Sequence, residues 1–174
     1  GQIECIYTGF QQASGFVTYP NPISAEHLVP QSFYGGVSPM KSDIWSIRPC
    51  HGSANSARSN DPYGEVADGS AQWYGVTASG AYLSTGSVPS NADDFSEGSG
   101  NLWEPREEKK GDVARSVFYF YTMYPTQAGV LADVGDPDML YQWHLDDPVD
   151  PSEVTRNNRT EAVSYTHLRA HETR

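Results

Sequence analysis

The residues best suited to chemistry lie together in residues 24–60. Glu26 and His27 stand side by side before an apolar pair, and Asn55 follows 28 positions after His27. Carboxylate and amide oxygens are ligands that Mg²⁺ accepts, and an imidazole that is neutral near pH 7 can take a proton from water. Together these groups indicate hydrolysis of a phosphodiester, in which a cation offsets the charge of the phosphate.

Each of these residues also has an ordinary structural interpretation. A single histidine is more often structural or solvent-exposed than catalytic, and Asn55 suits a helix cap or a turn. Adjacent residues on a strand point to opposite faces. Glu26 and His27 can therefore serve one site only where their strand ends or twists.

The elements that must position these residues form a strand–loop–strand–helix unit. The apolar runs predict a strand over Ala25–Val29 and a second strand over Asp43–Arg48. Between them, the paired glycines and the proline of Gln31–Lys41 predict a loop or a short helix. A polar segment rich in alanine and serine, Ser53–Ser59, is compatible with a short helix.

The rest of the chain adds further elements around this unit. For residues 1–24 we predict one or two short strands or irregular segments. For residues 61–101 we predict a long surface loop that aromatic side chains anchor and that has room for a hairpin. Apolar periodicity and turn signals predict helices over Gly111–Tyr124, Asp138–Leu145 and Pro151–Ala162. We therefore predict an α+β fold in a single mixed domain with several helices and long loops.

Length and composition limit the class of protein. A chain of 174 residues is long enough for one domain with a proper core,. No apolar run approaches the roughly 20 residues of a membrane span, so we expect no membrane partner, and we expect a monomer. The chain begins at Gly1 without a methionine, which we interpret as a trimmed or mature terminus. A bridge between Cys5 and Cys50 would fit a secreted or periplasmic location, and two separate buried thiols are the alternative.

The net charge of −11 is unevenly distributed. Residues 1–60 hold three acids and three bases, so residues 61–174 carry the whole deficit. An acidic protein is a poor general binder of nucleic acid, because affinity comes largely from neutralised phosphates. The charge therefore keeps open a second function, a non-catalytic, acidic, secreted binding domain. A zinc hydrolase is disfavoured, because Cys5, Cys50 and the five histidines show no zinc-ligand cluster,.

Several segments occur in the order found in the bacterial endonuclease I family, which the chain resembles. They are EHLVPQSF, PMKSDIW with IRP, GSANSARSN with PYGEV, EPREEKKGDVARSVFYFYT, DPV and RNN. The resemblance runs from about Ala25 to about Val163, and the ordered set is far more specific than any one segment. The family consists of periplasmic or secreted nucleases. The resemblance therefore implies a ββα-metal (His-Me finger) core at about residues 24–60.

The resemblance also implies roles for individual residues. His27 corresponds to the general base, and Glu26 and Asn55 correspond to the protein ligands of one Mg²⁺, with Mn²⁺ or Ca²⁺ as alternatives. The other residues that we expect at the site are basic or aromatic: Arg58 and then Arg48 to hold the phosphate, and Lys41, Trp45 and Arg115 to bind substrate. Arg115 has the alternative of a structural pairing with an acid.

The expected substrate is nucleic acid without a fixed recognition sequence. Nothing in the chain resembles a helix that reads base edges, and a site directed at the backbone acts on phosphate and shape. We expect cleavage of double- and single-stranded DNA, and of RNA as well, to products with 5′-phosphates.

Two departures from the family pattern bear on the site and on the boundary of the domain. Family members commonly carry a His or Asn pair after the Ser-Asp of the second strand, where this chain has Trp45-Ser46. After Asn158 the family usually continues into a Gln-Gly-Asn segment, whereas this chain turns at Val163 into SYTHLRAHETR. We therefore expect a nuclease domain over residues 1–163 and a poorly ordered tail of non-family origin, an artefact or a tag, over residues 164–174.

Overall fold

The computed structural model describes residues 1–15 and 22–172, the last eight of these by their backbone alone. The predicted elements of residues 1–24 thus lie partly outside the described residues. Within the described residues there are eight strands and four α-helices, in the order β1 (Gln2–Glu4), β2 (Gln11–Ala13), β3 (Ile23–His27), β4 (Ile47–His51), α1 (Gly52–Arg58), β5 (Gln72–Val76), β6 (Tyr82–Thr85), β7 (Ser96–Gly98), β8 (Trp103–Glu104), α2 (Lys110–Met123), α3 (Pro137–Asp146) and α4 (Pro151–Glu172). They confirm an α+β fold.

The strand–loop–strand–helix unit forms as predicted. β3 and β4 pair antiparallel, with Glu26 opposite Arg48 and His27 opposite Ile47, and α1 follows β4 without a loop. His51 is the N-cap residue of α1, and its Nδ1 accepts a hydrogen bond from the backbone nitrogen of Ser53 at 3.3 Å. This cap satisfies one of the free donors at the start of the helix.

The first strand lies two residues before the predicted range Ala25–Val29. Leu28 and Val29 follow the strand and are buried, at 0% and 1% exposure. Leu28 still donates from its backbone nitrogen to the carbonyl oxygen of Ser46 at 3.2 Å. The apolar pair therefore marks the core, and the strand ends at His27 before it.

The second strand begins at Ile47, four residues after the predicted start of Asp43–Arg48. Oδ1 of Asp43 accepts a hydrogen bond from the backbone nitrogen of Trp45 at 3.0 Å, which makes a turn where we expected a strand,. Pro49 lies inside β4, although we expected it to end the strand. The carbonyl oxygen of Pro49 accepts a hydrogen bond from the Ile6 nitrogen at 3.0 Å, so this edge of the residue faces away from β3. The nitrogen of Pro49 points to the same edge, and its missing N–H therefore removes no hydrogen bond between β3 and β4.

The loop between β3 and β4 is held to α2 through one carboxylate. Oδ2 of Asp43 accepts hydrogen bonds from the hydroxyls of Tyr119 at 3.1 Å and Tyr124 at 2.9 Å. Two short 3-10 helices, Gln31–Phe33 and Met40–Ser42, shape the loop itself. This attachment fixes the loop that lies beside His27.

Residues 61–101 contain more regular structure than the predicted long loop. β5 and β6 form the predicted hairpin, and β5 also pairs with β7, giving a four-stranded antiparallel sheet in the order β6-β5-β7-β8. Trp73 on β5 is 1% exposed and packs with Val66, Ala71 and Phe95 in a small second core. The short strands escaped prediction because their glycines and serines resemble those of a loop.

The helices follow the sequence pattern closely. α1, α2 and α3 each begin and end within one residue of the predicted bounds. Val113, Val117 and Phe120 form the apolar stripe of α2 and are fully or almost fully buried,. At α3, Oδ1 of Asp136 caps the first turn by accepting from the backbone nitrogens of the next helical residues,.

The fourth helix is longer than predicted. α4 starts at Pro151 as expected but extends to Glu172, where we expected it to end at Ala162 and the tail to lack regular structure. The division of the chain into a domain and a tail at Val163 stays a prediction. None of the helices within the described residues combines the length and the apolar character needed to cross a bilayer.

The two cysteines lie close together without forming a bond. Cys5 and Cys50 are both buried, and their sulfur atoms are 3.7 Å apart, compared with about 2.05 Å in a disulfide,. The bridge that we favoured is therefore not formed, and the alternative of two buried thiols holds in this structure.

One carboxylate of the four-stranded sheet is buried without a hydrogen-bond donor for one of its oxygens. Glu97 on β7 lies opposite Glu104 on β8 and is 8% exposed, and no donor among the described residues reaches its Oε2. The Lys110 ammonium instead pairs with Glu104 at 2.7 Å. Burial, followed by the charges of Glu104 and Asp68, raises the pKa of Glu97 from 4.5 to about 7.

We predict that Glu97→Gln stabilises the protein only at alkaline pH. Folding raises the pKa of Glu97, so the protonated carboxyl contributes to the free energy of unfolding. This contribution is fully present below about pH 4.5 and is lost as the pH rises through about 7. The uncharged amide should then raise the free energy of unfolding by on the order of 1 kcal/mol at pH 8.5. Denaturant unfolding at pH 5 and pH 8.5 measures the difference.

The matched control is Asp93→Asn, which changes an exposed acid close to the same sheet. It should alter stability equally at both pH values. A gap between Glu97→Gln and wild type that stays constant from pH 5 to pH 8.5 would contradict the prediction.

Candidate active site

Glu26, the one acid among the candidate site residues, is buried. It lies at the last position but one of β3 and is 2% exposed. Its Oε1 accepts hydrogen bonds from the Tyr7 hydroxyl at 2.8 Å and from the Arg58 guanidinium at 3.3 Å. Both of these bonds end on the same oxygen, which leaves Oε2 as the oxygen for another partner.

The pKa of the Glu26 carboxylate is set by burial and by two neighbours that oppose its effect. Burial raises the pKa of Glu26 to about 7, against the opposing effects of the Arg58 charge and the Tyr7 hydrogen bond. Burial alone would lower the pKa of Arg58, but its acidic and phenolic neighbours, Tyr63 first, raise it above the ordinary value. A cation at Oε2 would favour the charged carboxylate further.

Asn55 is held directly beside β3 by its side-chain amide. Its Nδ2 donates to the Ser24 hydroxyl at 3.0 Å and to the Ala25 carbonyl oxygen at 3.1 Å. Both amide hydrogens are therefore used, and Oδ1 keeps its lone pairs. Since residues 24 and 25 immediately precede Glu26, Asn55 lies beside the strand that carries the predicted carboxylate ligand.

His27 is the last residue of β3, as its use with Glu26 in one site requires. Its Nε2 lies 2.9 Å from the carbonyl oxygen of Lys41, and its Nδ1 lies 3.2 Å from Nε2 of Gln31. A carbonyl oxygen can only accept, so Nε2 carries the proton and Nδ1 is the basic nitrogen of the neutral ring. This tautomer gives the ring one nitrogen able to take a proton.

The two arginines expected to hold the phosphate are buried and engaged within the protein. Arg58 is 1% exposed; beyond its bond to Glu26, it donates to the carbonyl oxygens of His27 and Leu28 at 3.3 and 3.0 Å and stacks over Tyr63. Arg48 is 7% exposed and donates to Ser116 at 2.6 Å as well as to backbone oxygens. Both guanidinium groups are thus committed to acceptors within the protein, and their contact with a phosphate stays a prediction.

The residues expected to bind substrate differ in how accessible they are. Arg115 forms ion pairs with Glu153 at 2.6 Å and Asp112 at 3.2 Å, in agreement with a structural pairing with acids. Trp45 is half-buried and donates from its indole to Oδ1 of Asn157 at 3.1 Å. The Lys41 side chain is exposed, and its backbone oxygen is the acceptor for His27.

Three residues at the site escaped the sequence analysis. Tyr7 and Tyr63 are fully or almost fully buried, and their hydroxyls lie 2.8 Å apart, with Tyr7 also bonded to Glu26. Both come from segments distant in sequence, and nothing in their spacing relates them to β3. Gln31 lies within the quoted EHLVPQSF segment, so its place four residues after His27 was the available signal.

Among the described residues, no group of three or more His, Cys, Asp or Glu side chains is arranged to hold a metal ion. The pair Glu26 and Asn55 is a different kind of site, because one of its ligands is an amide. A hard cation that keeps most of its water needs only one or two protein oxygens. The donors present therefore fit Mg²⁺ and do not fit a zinc site of several sulfur or nitrogen ligands.

Comparison with known proteins adds an independent observation. An extracellular ribonuclease of Bacillus amyloliquefaciens is 31% identical over 147 residues, which are 76% of this chain and 44% of that protein. An extracellular ribonuclease of Bacillus subtilis (strain 168) is 31% identical over 128 residues, 66% of this chain and 38% of that protein. The chain thus spans less than half the length of these curated relatives.

A family model extends the similarity beyond the segments that carry the resemblance. The model for endonuclease I matches residues 2–167, further at both ends than Ala25–Val163. The matched region includes Glu26, His27 and Asn55 together with the whole strand–loop–strand–helix unit. The chain belongs to the endonuclease I family.

Proposed function

We propose that this protein is a metal-dependent endonuclease that hydrolyses phosphodiester bonds of DNA and RNA with little sequence preference. The observation that carries the proposal is that the Asn55 amide is bonded to residues 24 and 25, which directly precede Glu26 and His27 on β3. A carboxylate oxygen, an amide oxygen and a basic ring nitrogen are the groups that such a reaction needs. Family membership supports the same conclusion.

Glu26 and Asn55 would hold one Mg²⁺, with Mn²⁺ or Ca²⁺ as alternative ions. Their oxygens Oε2 and Oδ1 are the ones that the hydrogen bonds of the site leave available. When bound, the cation supplies neutralisation of the phosphate charge and of the charge that develops on the leaving oxygen. Arg58 and Tyr7 bond to the other carboxylate oxygen, so they orient the group and favour its charged form.

His27 is the general base. The hydrogen bond from Nε2 to the Lys41 carbonyl oxygen fixes the ring and leaves Nδ1 to accept the proton of the attacking water,. The water oxygen bonds to phosphorus as the bond between phosphorus and the 3′ oxygen breaks, which leaves a 5′-phosphate. A positioned base contributes about 10²–10⁴-fold to such a rate.

The substrate meets the protein through few side chains. Lys41 is exposed in the loop beside His27 and is our candidate for contact with the nucleic-acid backbone, and the partly exposed Trp45 is a candidate for contact with a base. A site of this kind acts on phosphate and shape and has little to read a sequence with. The extracellular ribonucleases among the relatives support RNA as a substrate, and they support secretion of this protein.

The first prediction for this function concerns nuclease activity and its dependence on a metal ion. Wild-type protein should nick plasmid DNA and degrade RNA with Mg²⁺, and chelation with EDTA should abolish both activities until Mg²⁺, Mn²⁺ or Ca²⁺ is restored. His27→Ala should lower the rate by about 10²–10⁴-fold because the general base is lost. His144→Ala, a change on α3, is the matched control and should behave as wild type.

Failure of the wild type to cut any nucleic acid with any of these ions would contradict the proposal. Retained binding of nucleic acid without cleavage would then favour the acidic, non-catalytic binding domain as the function.

The second prediction separates the support of the metal ligand from general stability. Tyr7→Phe removes the hydroxyl that holds Glu26, and we expect the affinity for Mg²⁺ to fall by about tenfold, the usual cost of losing a partner of a metal ligand. Tyr121→Phe removes a comparable hydrogen bond, to the Ala128 carbonyl oxygen at 2.9 Å, and should leave the affinity unchanged. Calorimetric titration of each variant with Mg²⁺ measures the affinity.

Equal affinities in Tyr7→Phe and Tyr121→Phe would show that the hydroxyl of Tyr7 does not support the metal ligand. Thermal unfolding of both variants serves as the check on folding, since each should lose about 1 kcal/mol of stability.

A further inference from the structure

The basic nitrogen of His27 is occupied in the substrate-free protein. Because Nε2 carries the proton and donates it to the Lys41 carbonyl oxygen, Nδ1 accepts a hydrogen bond from the Gln31 amide nitrogen at 3.2 Å. The general base therefore already has a donor at the lone pair that the reaction uses. This donor is a neutral group on the short 3-10 helix that follows β3.

The backbone at Gln31 is fixed by its surroundings. Its backbone oxygen accepts from the nitrogens of Tyr34 at 3.3 Å and Gly36 at 2.9 Å, which fixes the start of the loop. Gly36 has a φ of +63°, and a Cβ atom at that position would lie 3.4 Å from Oε1 of Gln31. The oxygen end of the amide thus lies beside Gly36 and the nitrogen end at His27.

We propose that Gln31 is a positioning residue for the nucleophilic water, a role that rests on the proposed nuclease function. In the substrate-free protein the Gln31 amide donates a hydrogen bond to the lone pair of His27 Nδ1. In the reacting complex a water molecule enters this hydrogen bond. The Gln31 N–H then donates to the water oxygen, one hydrogen of the water is donated to Nδ1, and the remaining lone pair of the water faces phosphorus.

The step balances without a further reactant. The water oxygen forms a bond to phosphorus while the bond from phosphorus to the 3′ oxygen breaks. The proton of the water passes to Nδ1 of His27, the 3′ oxygen takes a proton from solvent, and the imidazolium later returns its proton to solvent. Gln31 neither gains nor loses a proton, since its amide acts only as a donor.

The chemistry of an amide suits this position better than that of similar side chains. Methionine has a similar length but offers no donor. A glutamate carboxylate would accept the proton of Nδ1 and so place it on the nitrogen that must be basic. Gln31→Met and Gln31→Glu therefore test two different parts of the role, the donor and the tautomer.

The experiment compares these two variants with wild type and with Gln142→Met. Gln142 lies on α3, where its amide donates to Asp146 at 2.9 Å, and it provides the matched loss of an amide away from the site. Nitrogen-15 spectra of the imidazoles, taken on the full chain without metal or substrate, report which nitrogen of His27 carries the proton. Steady-state cleavage of DNA with Mg²⁺ gives kcat and KM, and titration with Mg²⁺ alone gives the metal affinity.

We expect a proton on Nε2 alone in wild type and in Gln142→Met, and a proton on Nδ1 as well in Gln31→Glu, because the Lys41 carbonyl oxygen still accepts from Nε2. Gln31→Met should lower kcat by about tenfold, the effect of one hydrogen bond in the transition state, with KM and the Mg²⁺ affinity within about twofold of wild type. Gln31→Glu should lower kcat by about a hundredfold or more, since the base is then blocked. Gln142→Met should keep the wild-type kcat.

An active wild type with kcat unchanged or raised in Gln31→Met would overturn the role of Gln31 and leave the proposed function intact. A Nδ1 that stays unprotonated in Gln31→Glu would likewise overturn it. An inactive wild type, or a His27→Ala variant as active as wild type, would instead overturn the proposed function, and with it the role of Gln31 in catalysis.

Discussion

The candidate site depends on one carboxylate that is buried inside the protein. Glu26 is buried, and an isolated carboxylate in such a place would cost several kcal/mol and would take up a proton instead. The Arg58 guanidinium and the Tyr7 hydroxyl reduce this cost by bonding to the same carboxylate oxygen. They also orient the group, so that its second oxygen remains for a cation.

The other elements are arranged around this requirement. Arg58 reaches Glu26 because α1 follows β4 directly and packs back on β3, where it also places Asn55 against residues 24 and 25. Tyr7 reaches Glu26 because the N-terminal segment is bonded to the outer side of β4 through Pro49. The loop between β3 and β4 supplies the Lys41 carbonyl oxygen to His27 and is itself fixed to α2 through Asp43.

The parts of the site that could be predicted from sequence are those that lie close together along the chain. Glu26, His27 and Asn55 belong to one local unit, so the order of strand, loop, strand and helix is enough to place them on neighbouring elements. α1, α2 and α3 were predicted to within a residue, and α2 carries a regular apolar stripe, whereas α4 extends past its predicted end at Ala162. The strands were displaced because apolar character marks burial, and Leu28 is buried after its strand has ended.

The roles of the arginines could not be read from residue type. A guanidinium suits a phosphate and a buried carboxylate equally well, and only tertiary packing decides between them. One local signal was available for Arg58. It lies four residues after the apolar Ala54 and so on the same face of α1, which is the buried face of that helix,. The contribution of Tyr7 had no such signal, because it comes from a separate segment and depends on long-range packing.

The most direct test of the central claim is the position of a bound cation. We predict that a crystal grown with Mn²⁺ in place of Mg²⁺ shows one anomalous scattering peak about 2.0–2.2 Å from an oxygen of Glu26 and from Oδ1 of Asn55, with water filling the other positions. A peak bound to other side chains, with Glu26 still turned only towards Arg58 and Tyr7, would contradict the account.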